Sequence, residues 1–241
     1  MRRRVETRGL LVRSVAYGES DLVATFFTES DGKVSALVRG ARRSSKRFAG
    51  GLEPMHVLAL TLEDKGSELM RLADSRVVEM HLSLVGDLAA LDAGGRALRW
   101  LRHLCPPRTP EPGAWEGIVG LLAALDAGVG ESRAPEDIDL ELARFGFALL
   151  AEVGYGLELD QCTRCGKTVP AERAVMVDPA AGGVVCTSCG GGAMRLSSRV
   201  RALAAAVARG EPVAASLDEA RALVKLAEDV MAAHGGLDPA R

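Results

Sequence analysis

Two Cys-x-x-Cys pairs, Cys162-Thr163-Arg164-Cys165 and Cys186-Thr187-Ser188-Cys189, constrain this chain more than any other feature. Twenty residues separate them, the spacing of a four-thiolate structural zinc site. Each pair forms a tight turn that brings two sulfurs to one ion. Gly166 and Gly190 follow directly, where such a turn needs a residue without a Cβ. Residues 166–185 are long enough for a short hairpin. Four Cys ligands (Cys162, Cys165, Cys186 and Cys189) leave no open coordination position, so the expected Zn2+ is structural. Two disulfides or a redox pair are the alternatives. A reducing compartment and the matched pair of motifs favour zinc.

That compartment is inferred from what the chain lacks. Its apolar runs are short and interrupted, so no segment reads as a membrane span. The first residues, Met1-Arg2-Arg3-Arg4-Val5-Glu6, carry charge without an apolar signal region. A cytoplasmic protein is expected. The net charge of −2 hides an asymmetry. Residues 1–50 hold eleven Lys/Arg against five acids, or +6, and the remainder holds 19 against 27, or −8. A polyanionic partner therefore belongs to the N-terminal portion.

That portion reads as strands over residues 10–17, 21–28, 33–39, 55–62 and 68–78. Asp31-Gly32 is a hairpin signal for a type I′ turn. Five strands with one longer connection suggest an OB-type barrel; an SH3-like barrel has a similar strand count. The connection after the third strand, residues 39–48, holds five cations, two serines, Phe48 and no acid. Arg39, Arg42, Arg43, Lys46 and Arg47 are the expected nucleic-acid contacts, with Lys33 and Arg13 as support on the barrel surface. Cations neutralise phosphates and an aromatic can stack a base, although Phe48 reads better as a loop anchor. Arg2, Arg3 and Arg4 read as a frayed terminus. Phe26 and Phe27 are adjacent on a strand and point opposite ways, one into the core and one toward DNA or a helix.

From Leu84 the apolar period becomes helical, with Gly94-Gly95 as a potential break into two helices. A Pro-rich linker over 108–113 precedes helices near 115–125 and 138–153, with Gly154 as the C-terminal stop. After the ribbon, Ser197-Ser198 opens an Ala-rich helix. Ser216 and Glu219 have capping-box spacing before the last helix. Trp100 and Trp115 are expected in the core, Cys105 is expected as a packed small hydrophobe, and His103 is expected to cap helix carbonyls. The fold class is α+β: a five-stranded OB-fold barrel over 1–80, helices over 81–160, an inserted four-cysteine zinc ribbon over 161–195, and C-terminal helices over 196–241.

These residues resemble the RecO family of bacterial recombination mediators. The N-terminal series is Tyr17-Gly18-Glu19-Ser20-Asp21-Leu22, Phe27-Thr28, Gly32-Lys33-Val34, Arg39-Gly40-Ala41-Arg42-Arg43, Arg47-Phe48 and Leu52-Glu53-Pro54. Later, Glu141-Leu142 precedes Gly154-Tyr155-Gly156-Leu157-Glu158-Leu159-Asp160, which runs into Cys162. The C-terminus matches less well: five residues follow His234-Gly235-Gly236, where the family commonly has a longer tail. The resemblance implies an OB-fold, a helical middle and a zinc finger. It implies DNA repair and recombination without bond-breaking catalysis: binding of single- and double-stranded DNA, annealing of complementary strands, and action with RecR to load RecA onto DNA coated by single-strand-binding protein. It also implies the acidic, hydrophobic-ended tail of that protein as a partner. Arg96, Arg99 and Arg102 could serve such a tail, although a solvated helix face is the simpler reading of their spacing. An enzyme that docks substrate through these modules, or a scaffold for an acidic partner, are the competing classes. Against the enzyme, the chain has no nucleotide-binding Gly-Lys-Ser/Thr loop and no His-Glu-x-x-His.

Overall fold

The computed structural model describes residues 3–42, 52–127 and 134–237. The chain divides into two compact units, Met1–Ala127 and Gly128–Arg241. No described helix is long and apolar enough to cross a membrane.

The first unit opens with five strands: β1 (Arg3–Tyr17), β2 (Asp21–Thr28), β3 (Gly32–Val38), β4 (Val57–Asp64) and β5 (Leu69–Glu79). They close into a barrel in the order β1-β2-β3-β5-β4. β3 and β5 pair in parallel and the other ladders are antiparallel. This order and the one parallel contact make it an OB-fold. β1 is long because it serves two neighbours. Arg3 to Gly9 pair with β4, and Gly9 to Tyr17 pair with β2. A bulge between Leu11 and Arg13 turns the strand around the barrel. Arg3 and Arg4 are therefore not a frayed terminus: they pair with Asp64 and Glu63.

Alternation along the strands fills the barrel with Leu11, Phe26, Val34, Leu58, Leu60, Met70 and Leu72. Phe27 points the other way and packs on Trp115, ring centroids 6.3 Å apart, so this outward aromatic meets a helix. The β2–β3 hairpin forms where expected but with a different turn. Thr28 pairs with Gly32, leaving a three-residue loop, and Gly32 alone has positive φ (63°). This is the loop that ends in a left-handed glycine. A Cβ at Gly32 would overlap the Thr109 carbonyl, so the position is closed to side chains twice over.

Helices α1 (Leu88–Leu104) and α2 (Pro112–Ala127) complete this unit. Asp87 caps α1 through the Ala89 and Ala90 N–H groups. Trp100 and Trp115 are buried, as is Cys105. Gly94-Gly95 do not break α1. Gly94 admits the Met55 side chain, whose Sδ would lie 3.0 Å from a Cβ there. Met55 itself sits at φ 69°, and its carbonyl meets the buried His81 Nδ1 at 2.7 Å. The His81 N–H in turn donates to His56 Nδ1. Gly94→Val is expected to destabilise this unit by about 2 kcal/mol through overpacking. Gly95→Ala, whose Cβ would meet only Met55 Cε at 3.8 Å, should instead stabilise by up to about 1 kcal/mol through helix propensity. Thermal midpoints of the two variants, moving in opposite directions, check this.

The segment between α1 and α2 is tied down rather than loose. The Arg108 N–H donates to the Lys33 carbonyl, and its guanidinium donates to Asp64 and the Ser67 carbonyl at 2.8 and 2.6 Å.

The second unit contains α3 (Pro135–Glu152), the three-stranded ribbon sheet, α4 (Ser198–Ala208) and α5 (Leu217–Gly235). The sheet order is β7-β6-β8, with β6 at Val175–Asp178, β7 at Gly183–Val184 and β8 at Met194–Leu196. The expected hairpin is β6–β7, and β8 joins after the second Cys-x-x-Cys pair, each pair with its turn forming one knuckle of the ribbon. α3 and α5 pack along each other with Leu142, Leu149, Leu223, Val230 and Met231 buried. Gly154 terminates α3 at φ 85°, and the Ser216–Glu219 capping box opens α5.

Candidate nucleic-acid interface and metal centre

Each Cys-x-x-Cys pair sits on a tight turn. The Gly166 N–H donates to the Cys162 carbonyl at 2.8 Å, and the Cys189 and Gly191 N–H groups donate to the Cys186 carbonyl. Gly166, Gly190 and Gly191 all take positive φ. The turns bring Sγ of Cys162, Cys165, Cys186 and Cys189 within 4.8 Å of one another. Cys165 and Cys186 are 3.8 Å apart, far beyond disulfide length. A tetrahedron of thiolates around an ion at ~2.3 Å has edges of about 3.8 Å, so the cluster has the dimensions to hold a metal. The Cys186 N–H donates to Cys162 Sγ at 3.4 Å. That bond, with the Arg164 and Cys165 N–H groups, brings the Cys162 thiol down to about 6. Cys189 is pushed up to about 12, first by its hydrogen bond with Cys186. Four crowded sulfurs thus compete for protons that a cation would displace.

Arg201 holds this ribbon in place, and nothing in its local sequence marks it out. It lies on α4, only 4% exposed. Its guanidinium donates to the carbonyls of Leu159 (2.7 Å), Pro170 (2.8 Å) and Val169 (2.9 Å), and reaches Asp160 at 3.4 Å. A planar fork with five donors suits three backbone acceptors arranged around it. On the other side, His234 donates Nε2 to the Pro179 carbonyl at 3.0 Å and stacks on Tyr155 with centroids 4.5 Å apart.

The cations expected on the barrel fall into three groups. Arg39 is exposed, just past the end of β3. Asp21 accepts from the Gly40 N–H at 2.8 Å, which fastens the start of the basic connection to the β1–β2 turn. Arg42 folds back over that turn, its guanidinium 3.3 Å from the Gly18 carbonyl. Arg43, Lys46, Arg47 and Phe48 lie outside the described residues.

Lys33 and Arg13 line a cleft of about 610 Å³ on the outer face of the barrel, with Thr25, Ser35, Arg102 and Arg108. Lys33 is partly buried and donates to the Arg102 carbonyl at the end of α1. Burial holds its ammonium below the ordinary value. Lys33 therefore caps the helix, a role expected of His103. His103 instead offers Nε2 to the Arg102 guanidinium at 3.0 Å. Burial, followed by Arg102 and other nearby cations, holds its imidazole below the usual range. Arg96, Arg99 and Arg102 are half-buried rather than a solvated helix face. Arg96 lies 6.0 Å over the Trp100 ring and 3.9 Å from Asp92.

The fold and these sites define a class: an OB barrel with a cation-lined cleft on its outer face, followed by helices that carry a four-cysteine ribbon. Comparison with known proteins narrows it. The profile described as Recombination protein O N terminal matches residues 1–81, and Recombination protein O C terminal matches 85–239. The chain is 38% identical over 193 residues to the DNA repair protein RecO of Anaeromyxobacter sp. (strain K), covering 80% of this chain and 73% of that one. It is 37% identical over 188 residues to the DNA repair protein RecO of Geobacter sulfurreducens, covering 77% and 73%. The chain belongs to the RecO family.

Proposed function

We propose that this chain is a DNA-binding recombination mediator that acts in DNA repair. The observation that carries the reading is the cleft lined by Arg13, Lys33, Arg102 and Arg108 on the OB barrel of a member of this family. The barrel binds single- and double-stranded DNA through Arg39, Arg42, Arg43, Lys46 and Arg47. Arg13 supports them on the strand surface, and Lys33 acts by positioning the end of α1. The protein anneals complementary strands without bond-breaking chemistry. With RecR it helps to load RecA, which it meets indirectly, onto DNA coated by single-strand-binding protein, whose acidic tail is a further partner. It works in the cytoplasm at the nucleoid. The four cysteines hold a structural Zn2+.

Annealing of complementary oligonucleotides without ATP tests the activity; no acceleration over the spontaneous rate refutes it. Binding through phosphates releases counterions, so log affinity for single strands falls with log salt by about 0.7 per phosphate neutralised. Replacing Arg42, Arg43 and Arg47 by Ala is expected to weaken DNA binding and to flatten that slope by about 2. An unchanged slope removes the connection from the interface.

A further inference from the structure

The outer face of β1, β2 and β3 and the end of α1 share a feature that the basic connection does not explain. Residues paired across strands lie on the same side of a sheet. Arg13 pairs with Thr25, Val15 with Val23 and Tyr17 with Asp21. Thr25 pairs in turn with Ser35, and Val23 with Leu37. Since Ala24 and Phe26 fill the barrel, this set faces outward. Its middle, Val15 with Val23 and Leu37, is apolar, and Val15 is 45% exposed; at the end near Arg42 stands Tyr17, 58% exposed, opposite Asp21, whose carboxylate accepts from the Gly40 N–H.

At one end of the set stands Arg42, over the Gly18 carbonyl. At the other, Arg13 and Arg102 line both the 610 Å³ cleft and a second groove of about 400 Å³ between β1 and α1. The two guanidiniums thus form a saddle shared by both depressions. No described carboxylate pairs with either, although Glu68 lines the outer cleft. Burial, then Arg13 and Arg99, depress the Arg102 guanidinium, as expected where like charges are held together. The nearby Arg108 is already engaged by Asp64, and Lys33 by the Arg102 carbonyl. Arg13 and Arg102 are the cations that line both depressions, with Arg99 beside them in the inner groove and the neutral His103 Nε2 as the Arg102 guanidinium's neighbour.

We propose that the Arg13–Arg102 saddle is a phosphate site through which a single strand passes from the outer face of the barrel onto the end of α1, with its bases laid on Val15, Tyr17, Val23 and Leu37. The proposal rests on the DNA-binding reading above and extends it to Arg102, Tyr17 and a strand preference. An apolar patch between cations suits unstacked bases, whose faces a duplex keeps inside. Gly18 to Arg13 spans about 17 Å of strand at ~3.3 Å per residue, room for roughly three extended nucleotides. His103 is a positioning residue that aims the Arg102 guanidinium.

The test is fluorescence anisotropy of the full-length protein with a dT 20-mer and with a 20-base-pair duplex, across salt concentrations. Arg13→Ala/Arg102→Ala is expected to weaken dT binding at least tenfold and to reduce the salt slope by about 1.4. Arg13→Lys/Arg102→Lys, which keeps the charge, should retain that slope and so separates ligand loss from misfolding. Tyr17→Ala is expected to weaken dT binding about 5- to 100-fold and to leave duplex binding within twofold. If wild-type binding is strong and depends on the basic connection, but is unmoved by the Arg13/Arg102 and Tyr17 changes, the saddle proposal is overturned and the broader reading stands. Loss of affinity for an Asp-rich peptide ending in Phe, with dT binding intact, would assign the saddle to an acidic protein tail and also overturn it. Absence of DNA binding by the wild type overturns both.

Discussion

Arg201→Met should remove the protection of the first knuckle against hydrogen exchange while leaving the barrel as it is. The substitution keeps most of the aliphatic volume and deletes every donor. The carbonyls of Leu159, Pro170 and Val169 then lose the guanidinium that satisfies them. An unsatisfied buried acceptor costs about 1–3 kcal/mol, and water reaches some of these groups once the guanidinium is gone, so a loss of about 3–5 kcal/mol from the second unit is expected. Arg201→Lys should fall between, because one ammonium cannot face three separated carbonyls. Exchange measured over residues 158–171 reports the effect directly. Protection equal to wild type in the Met variant would show that Arg201 is not the fastener.

Stripping the proposed zinc, or replacing Cys162 by Ser, should have a still larger local effect. Structural tetrathiolate sites contribute about 10–16 kcal/mol of apparent binding energy near neutral pH. The sheet inside the ribbon is slight, with strands of four, two and three residues, so Arg201 and the cysteine cluster carry most of the burden of holding it. Protein prepared without chelator should carry close to one zinc per chain. Cys162→Ser should lose most of it and expose residues 158–196 to protease. The first compact unit, which holds the barrel with α1 and α2, should keep the proposed DNA affinity. Metal-free wild-type protein with a fully protected ribbon would remove the assignment.

What the sequence made legible follows from how local each signal is. β-rich runs between turn signals locate all five barrel strands, but they start β1 at residue 10: its first stretch, Arg3 to Gly9, is mostly charged and polar and shows itself as strand only through its pairing with β4. The capping box at Ser216 and the stop at Gly154 are satisfied by neighbours within a few residues, so composition alone reveals them. The Cys-x-x-Cys pairs are equally local, and their sulfurs converge as their spacing requires. The rest depends on distant partners. Asp31-Gly32 marks a hairpin, but the turn that forms there also answers to Thr109. Gly94-Gly95 looks like a break until Met55, about forty residues earlier, is seen to fill the notch. Arg201 carries no signal at all: between Val200 and Ala202 it reads as one more cation on a helix face. His81 is equally silent, and Lys33, expected as a phosphate contact, gives no sign of its place at the end of α1, since each acts on a backbone carbonyl supplied by another element.

The length of β1 has a consequence for the order in which the barrel is made. Arg3 pairs with Asp64, so the ladder that closes the barrel joins residues about sixty apart. Contacts of such separation form late and slowly. Until β4 arrives, the first half of β1 is an open edge, and an open edge can recruit a strand from another chain. Arg3, Arg4, Glu6 and Arg8 crowd that stretch with charge. In the finished fold Arg8 is taken up by Glu29 at 2.8 Å and lies 5.7 Å over the Trp115 ring. The same residues that settle into the closed barrel are therefore suited to keeping nascent chains apart while they wait for it.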